Sequence, residues 1–208
     1  MDVVVAGGHG QIGLRLLRFL SDRGDRARGI VRNPAHVPDL EQVGAQAIVL
    51  DMEAEDDLSP AVEGADAVVF AAGAGPGSGS GRKKTVDLGA AVKLMETGVQ
   101  RYVMVSAIGA SDPENVPEQM RAYYDAKAEA DRRLQESGLD YTIVRPGLLT
   151  NDEGTGLVEA GAEVRRSEIP RDDVAAVLAE VLIAGSTVGK TFNLVAGDTP
   201  VDVAVRSL

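Results

Sequence analysis

Val3-Val4-Val5-Ala6-Gly7-Gly8-His9-Gly10-Gln11-Ile12-Gly13 reads as a short buried strand that runs straight into a glycine turn. Leu14 to Leu20 continues as a helix, with Ile12, Leu16, Phe19 and Leu20 at helical spacing and Arg15, Arg18 and Asp22 on the other side. Strand, glycine turn and helix together are the context that a dinucleotide fingerprint requires. In such a turn Gly7 lets the chain reverse sharply, Gly10 lets the backbone approach a pyrophosphate, and Gly13 lets helix and strand pack closely. The amides of Gln11, Ile12 and Gly13 open the helix, where the partial positive charge of its end can hold phosphates. His9 contributes its backbone amide more than its ring. The spacing is Gly-x-x-Gly-x-x-Gly, not the Gly-x-Gly-x-x-Gly of most dehydrogenases. A glycine-rich turn without a ligand is the alternative.

Working outward, a second strand at Ala27 to Val31 ends in Arg32-Asn33-Pro34. An acidic side chain at such an end binds the ribose 2′-hydroxyl of NAD. Arg32 stands there instead, a cation suited to a 2′-phosphate, and Asn33 can assist it. This favours NADP(H) over NAD(H), the alternative being a solvated arginine at a strand end. Gln46 to Leu50 forms a third strand ending at Asp51, which either accepts a bond from an adenine or caps the loop. Leu58 to Gly64 reads as a short helix with a glycine stop. Asp66 to Gly73 is a fully apolar fourth strand, as buried parallel strands are. Its small terminal residues Ala71, Ala72 and Gly73 allow a flat cofactor to approach the backbone. Gly73 to Gly81 is either a linker or a mobile lid. A helix then opens at Arg82-Lys83-Lys84 and runs to about residue 98.

Arg101 to Ser106 is the fifth strand, and a long helix follows over residues 117–137. Along it Tyr123, Lys127, Ala130 and Leu134 fall on one stripe. A lysine in an inward-facing stripe is costly unless its charge is used; snorkelling to water is the alternative. Asp140 to Arg145 is a sixth strand, broken by Pro146-Gly147. Leu148 to Ser167 is glycine-rich, with one candidate strand at Ala162 to Arg166. A helix from Asp172 to Ala184, a strand at Thr191 to Val195 and a terminal helix from Pro200 complete the chain. Strands alternating with helices imply a Rossmann-type, doubly wound α/β fold, its mainly parallel sheet covered on both faces. The glycine turn, Arg32, Ala71 to Gly73 and Ser106 all fall at strand carboxyl ends, which form the ligand crevice of open sheets. Residues 1–208 are expected to form a single NAD(P)-binding domain with a small substrate-side segment near 147–168.

The hydrophobic fraction of 44% and charged fraction of 25% are those of an ordinary globular protein. The net charge of -11 argues against nucleic acid, which needs a basic footprint, and against an anionic membrane surface. Without cysteine there is no disulfide, thiol nucleophile or zinc-thiolate site. Met1 leads directly into the first strand and no apolar run approaches a membrane span, so a soluble, cytoplasmic protein is expected. The sequence carries no signal for an oligomeric state.

These residues together resemble the atypical branch of the short-chain dehydrogenase/reductase superfamily, over nearly the whole chain. Gly7 to Gly13 matches the Gly-x-x-Gly-x-x-Gly of atypical and extended members. Val31-Arg32-Asn33-Pro34 is similar to the second-strand end of NADP-binding NmrA-like proteins and flavin/biliverdin reductases. Asp87-Leu88-Gly89-Ala90, Val105-Ser106 and Tyr123-Tyr124-Asp125-Ala126-Lys127 also fit. Tyr141 to Gly147 and Ile169 to Ala175 resemble the small bacterial NAD(P)H-binding members, described as epimerases or reductases. The resemblance implies that Ser106, Tyr123 and Lys127 do the chemistry: Tyr123 as proton donor or acceptor, Ser106 orienting the substrate oxygen, and Lys127 tuning the phenol and binding the nicotinamide ribose. It also implies a compact small-molecule substrate, because the region after Pro146 is shorter than the sugar-nucleotide domains of true epimerases. Three functions follow: an NADPH-dependent reductase of a small carbonyl or flavin-like acceptor, a non-catalytic dinucleotide sensor, and an epimerase or dehydratase that keeps its cofactor bound.

Overall fold

The computed structural model of the chain describes residues 1–73 and 88–208. The proposed lid, apart from Gly73, and the start of the helix at Arg82 lie outside the described residues. The chain runs β1 (Asp2–Ala6), α1 (Gln11–Asp22), β2 (Arg26–Val31), α2 (Val37–Gln42), β3 (Gln46–Val49), α3 (Ser59–Val62) and β4 (Ala67–Phe70). After the undescribed stretch come α4 (Ala91–Met95), β5 (Arg101–Val105), α5 (Glu118–Glu136), β6 (Asp140–Pro146), β7 (Leu148–Thr150), β8 (Leu157–Gly161) and β9 (Glu168–Pro170). α6 (Arg171–Val181), β10 (Lys190–Ala196), β11 (Thr199–Pro200) and α7 (Val201–Arg206) complete it.

The nine-stranded sheet has the order β11-β8-β10-β6-β5-β4-β1-β2-β3. β1 to β6 and β10 pair in parallel, and β8 joins the far edge antiparallel to β10. Read from β3, the core order is 3-2-1-4-5-6, and the direction of winding switches between β1 and β4. Open sheets of this kind bind ligands where that switch leaves a crevice.

The two faces are visible in β1 itself. Val3 and Val5 point into one apolar cluster with Leu16, Leu20, Val174 and Leu178, and Val4 and Ala6 point into another with Leu94, Tyr102 and Leu134. Helices α1, α6 and α7 therefore cover one face, and α3, α4 and α5 the other. The stripe of α1 is buried as its period requires, and its polar side carries Arg15 and Arg18 to Asp172 on α6, at 3.0 and 3.4 Å. No described helix is long and apolar enough to cross a membrane.

The segment after Pro146 differs from the sequence expectation. β6 runs one residue further than expected, through Pro146, which pairs opposite Leu194, and breaks at Gly147, whose amide donates to Leu194 O at 2.9 Å. Gly147 has no room for a side chain, since a Cβ there would lie 2.0 Å from Ser167 O. Ala162 to Arg166 is not a strand. The Asn193 side chain donates to the carbonyls of Ala162 and Val164, at 3.2 and 3.4 Å, so a side chain replaces the sheet ladder there. The strand instead forms at β8, where Val158 alternates into the core. Buried Asp173 anchors the turn before β8 by accepting the amides of Thr155 and Gly156, at 3.0 and 2.8 Å.

Candidate functional site

The turn after β1 is built by exclusion of side chains. Gly7 has φ +82, and a Cβ there would lie 2.7 Å from the Ala72 backbone. A Cβ on Gly10 would lie 2.9 Å from Gly7 O, and one on Gly13 2.2 Å from the same oxygen. These glycines thus draw β1, the start of α1 and the end of β4 together more closely than any side chain permits. Gly8 has a role the sequence did not disclose: a Cβ there would lie 2.8 Å from Gly29 Cα, so its absence lets the turn lie on β2. Gly10 caps α1 without a side-chain hydrogen bond, and the first turn holds no acidic residue. The amides there are presented in the manner that suits an anion.

A cavity of about 380 Å³ opens at this point, within the usual range for a small-molecule site. Gly7, Gly10, Arg32, Asn33, Asp51, Ala71, Ala72 and Gly73 all line it. Gln11, Ile12 and Gly13 are not among its lining residues; Ile12 and Gly13 are buried, and Gln11 is exposed at the helix start. The Arg32 side chain is 55% exposed, and its Nη1 makes a long contact, 3.4 Å, with Glu53 Oε2. Asn33 Oδ1 accepts the Ala35 amide at 3.0 Å, and Asp51 Oδ1 accepts the Glu53 amide at 3.0 Å. Asp51 thus caps its loop and also lines the cavity. Both histidines of the chain stand at the rim: the His9 and His36 rings stack 3.6 Å apart, and His9 Nε2 meets Asp39 Oδ2 at 2.8 Å. Another hollow, about 410 Å³ and lined by Phe19, Ala176, Pro200 and neighbours, lies away from the strand carboxyl ends between packed helices.

The glycine cradle, the uncapped helix start and the cavity fit a dinucleotide. Gly7, Gly10 and the first amides of α1 would hold its phosphates, and Ala71 to Gly73 would face its flat parts.

Ser106, Tyr123 and Lys127 do not line that cavity. Lys127 lies at the adjoining carboxyl edge of β4 and β5, beside Tyr123, beside Phe70, which precedes the Ala71 to Gly73 wall, and bonded to Val105, which precedes Ser106. Lys127 does not snorkel: it is 4% exposed, and its Nζ donates to Val105 O at 3.1 Å. The ammonium lies 5.8 Å from the Phe70 ring centre and 6.0 Å from that of Tyr123, distances at which a ring face attracts a cation.

The four tyrosines are not equivalent. Tyr102 is fully buried, its hydroxyl donates to Ala91 O at 3.0 Å, and burial pushes its phenol far up. Tyr124 is buried against Gly109, and its hydroxyl accepts from Arg166 Nη2 at 3.2 Å. Tyr141 belongs to β6. Tyr123 is half-buried, on the Lys127 side of α5.

Beneath Lys127 lies a group the sequence reading passed over. Asp131, one turn further along α5, is 1% exposed, and Arg145 of β6 reaches its Oδ2 with both Nε and Nη2 at 2.8 Å. Burial raises the Asp131 carboxyl, against the opposing pull of the Arg145 guanidinium, the Ser106 hydroxyl and the Lys127 ammonium. The available signal was the spacing Lys127-x-x-x-Asp131 together with an arginine inside the apolar strand 140–146.

Comparison with known proteins identifies the family. Residues 7–184 match the family model described as NAD(P)H-binding. The chain is 40% identical over 214 residues to a Bacillus subtilis protein named "Uncharacterized sugar epimerase YhfK", with both chains covered in full. Among solved structures it is similar to a protein from Bacillus halodurans, provisionally named an NAD-dependent epimerase/dehydratase. That match has 41% identity, a TM-score of 0.95 and full coverage of both chains. It is also similar to the oxidoreductase ylbE from Lactococcus lactis, at 30% identity and a TM-score of 0.90, covering 100% of this chain and 96% of that one. The chain belongs to the NAD(P)H-binding family, in the atypical short-chain dehydrogenase/reductase group of epimerase- and reductase-like proteins.

Proposed function

We propose that the protein is an NADPH-dependent oxidoreductase that reduces a small carbonyl or flavin-like acceptor by hydride transfer. The observation that carries this reading is half-buried Tyr123 beside buried Lys127, at the strand edge that adjoins the glycine cradle. A bound nicotinamide dinucleotide would supply the hydride. Tyr123 would give a proton to the acceptor's oxygen as that oxygen gains electrons. A free phenol titrates near about 10 and is a weak proton donor at neutral pH. A cation held beside it favours the ionised form and makes the proton easier to give. Lys127 is held there by Val105 O, and in this reading it also contacts the nicotinamide ribose. The segment 147–168 would close the substrate side of the same domain.

Preference for NADP rests on Arg32. It lines the cavity, and its contact with Glu53 is long enough for a 2′-phosphate to compete successfully for the guanidinium. Arg32→Ala should remove a hydrogen bond to a charged group, about 1.5–3 kcal/mol. NADPH affinity should then fall by roughly one to two decades, with NADH affinity almost unchanged. Calorimetric titration of both cofactors decides the point. Equal losses for the two, or no loss for either, would take Arg32 out of the site.

The names of the Bacillus subtilis and Bacillus halodurans relatives favour a second reading, an epimerase or dehydratase that recycles its cofactor. A tightly held dinucleotide that survives purification, with product formed and no net cofactor consumed, would select it.

A further inference from the structure

Arg145 occupies only one oxygen of Asp131 with both of its nitrogens. The other, Oδ1, is buried and has no hydrogen-bond partner. Ser106 Oγ is in the same condition, 3% exposed as a residue and without a partner for its hydroxyl. Two buried polar atoms left unsatisfied are costly. They are also neighbours, because the Ser106 hydroxyl acts on the Asp131 carboxyl. Lys127 stands one turn above on the same face of α5, its ammonium also acting on Asp131. The charged or titratable groups around the ammonium thus include Asp131 and Tyr123 from α5 and Arg145 from β6.

We propose that Asp131 is a positioning residue: clamped by Arg145, it takes the Ser106 hydroxyl as a donor to its free oxygen and fixes the charge of Lys127 beneath Tyr123. Ser106 is then turned inward to the network and does not orient the substrate, which leaves the acceptor's oxygen to Tyr123. The purpose of this network rests on the reductase reading, but its existence does not.

The test uses the full chain without cofactor, carrying lysine labelled with carbon-13 at the ε position. The chain has five lysines, and the Lys127 resonance is the one absent from Lys127→Arg. In Asp131→Asn the Lys127 resonance should titrate about one pH unit lower than in the parent, the effect of losing one close opposite charge. Should the single variant fail to fold, Asp131→Leu combined with Arg145→Met removes the pair together, a replacement buried ion pairs tolerate well. A smaller downward shift is expected there, because the Arg145 charge that opposes the ammonium leaves together with Asp131. The Ser106 contact is read separately by denaturant unfolding: Ser106→Ala should lower stability in the parent and have no effect in the Asp131→Leu/Arg145→Met background. A Lys127 midpoint that is unchanged or raised, or a Ser106→Ala loss that is equal in both backgrounds, overturns the proposal. Because no dinucleotide is present, a chain that fails to bind NADPH would defeat the proposed function and leave these outcomes intact.

Discussion

Tyr123→Phe should lower turnover by about 10²–10⁴-fold, the usual contribution of a positioned proton donor, and leave NADPH affinity within a few-fold of the parent. The change removes one hydroxyl from a half-buried ring, so the packing of α5 is untouched. Tyr124→Phe is the internal control. Its hydroxyl is engaged by Arg166 and its ring is wedged against Gly109, a structural position one residue and about 100° away around the helix. That variant should keep nearly full turnover and lose a little stability. Lys127→Ala should damage both turnover and cofactor affinity. Steady-state kinetics on any accepted substrate separates these outcomes. If the two tyrosine variants turn over alike, Tyr123 is not the proton donor.

Gly10→Val should abolish measurable binding of NADPH and NADH alike. A Cβ at this position already lies 2.9 Å from Gly7 O, and the further branches of valine would fill the space in front of the α1 amides. The obstruction is backbone against side chain, so no rotamer relieves it. The phosphates are common to both cofactors, so the loss should not discriminate between them, in contrast to Arg32→Ala. A folded Gly10→Val chain with undiminished NADPH affinity would move the phosphate site elsewhere.

The fold was legible because each of its devices is local in the chain. Val3 to Val5 alternate between two cores, glycines follow directly, and α1 repeats its apolar residues at helical spacing. What the sequence hid depends on partners distant along the chain. Leu157 and Val158 are only two large apolar residues among small and charged ones, so β8 becomes a strand only through its pairing with β10. Ala162 to Val164 looked extended, but Asn193, far along the chain, takes up its carbonyls. Gly8 and Gly29 explain each other only once β2 lies beside β1.

The candidate site divides in the same way. The glycine turn, Arg32 and the small residues after β4 announce themselves at strand ends, and they do converge on one cavity. Lys127 raised the right question, because a lysine in an inward stripe needs a use. The answer lay in Val105 O, the Phe70 ring and Asp131, none of which the stripe names. A buried acid paired with an arginine on another element leaves a trace in the sequence only as a charge in an otherwise apolar run.

The most direct test of the reductase reading is the fading of NADPH absorbance when the purified protein meets panels of small carbonyls, quinones and flavins. Net NADPH oxidation is expected with at least one acceptor, in stoichiometric amount with reduced product, and that signal is expected to be lost in Tyr123→Phe. NADPH that binds but is never consumed across the panels, or product that forms with no net loss of NADPH, would contradict it.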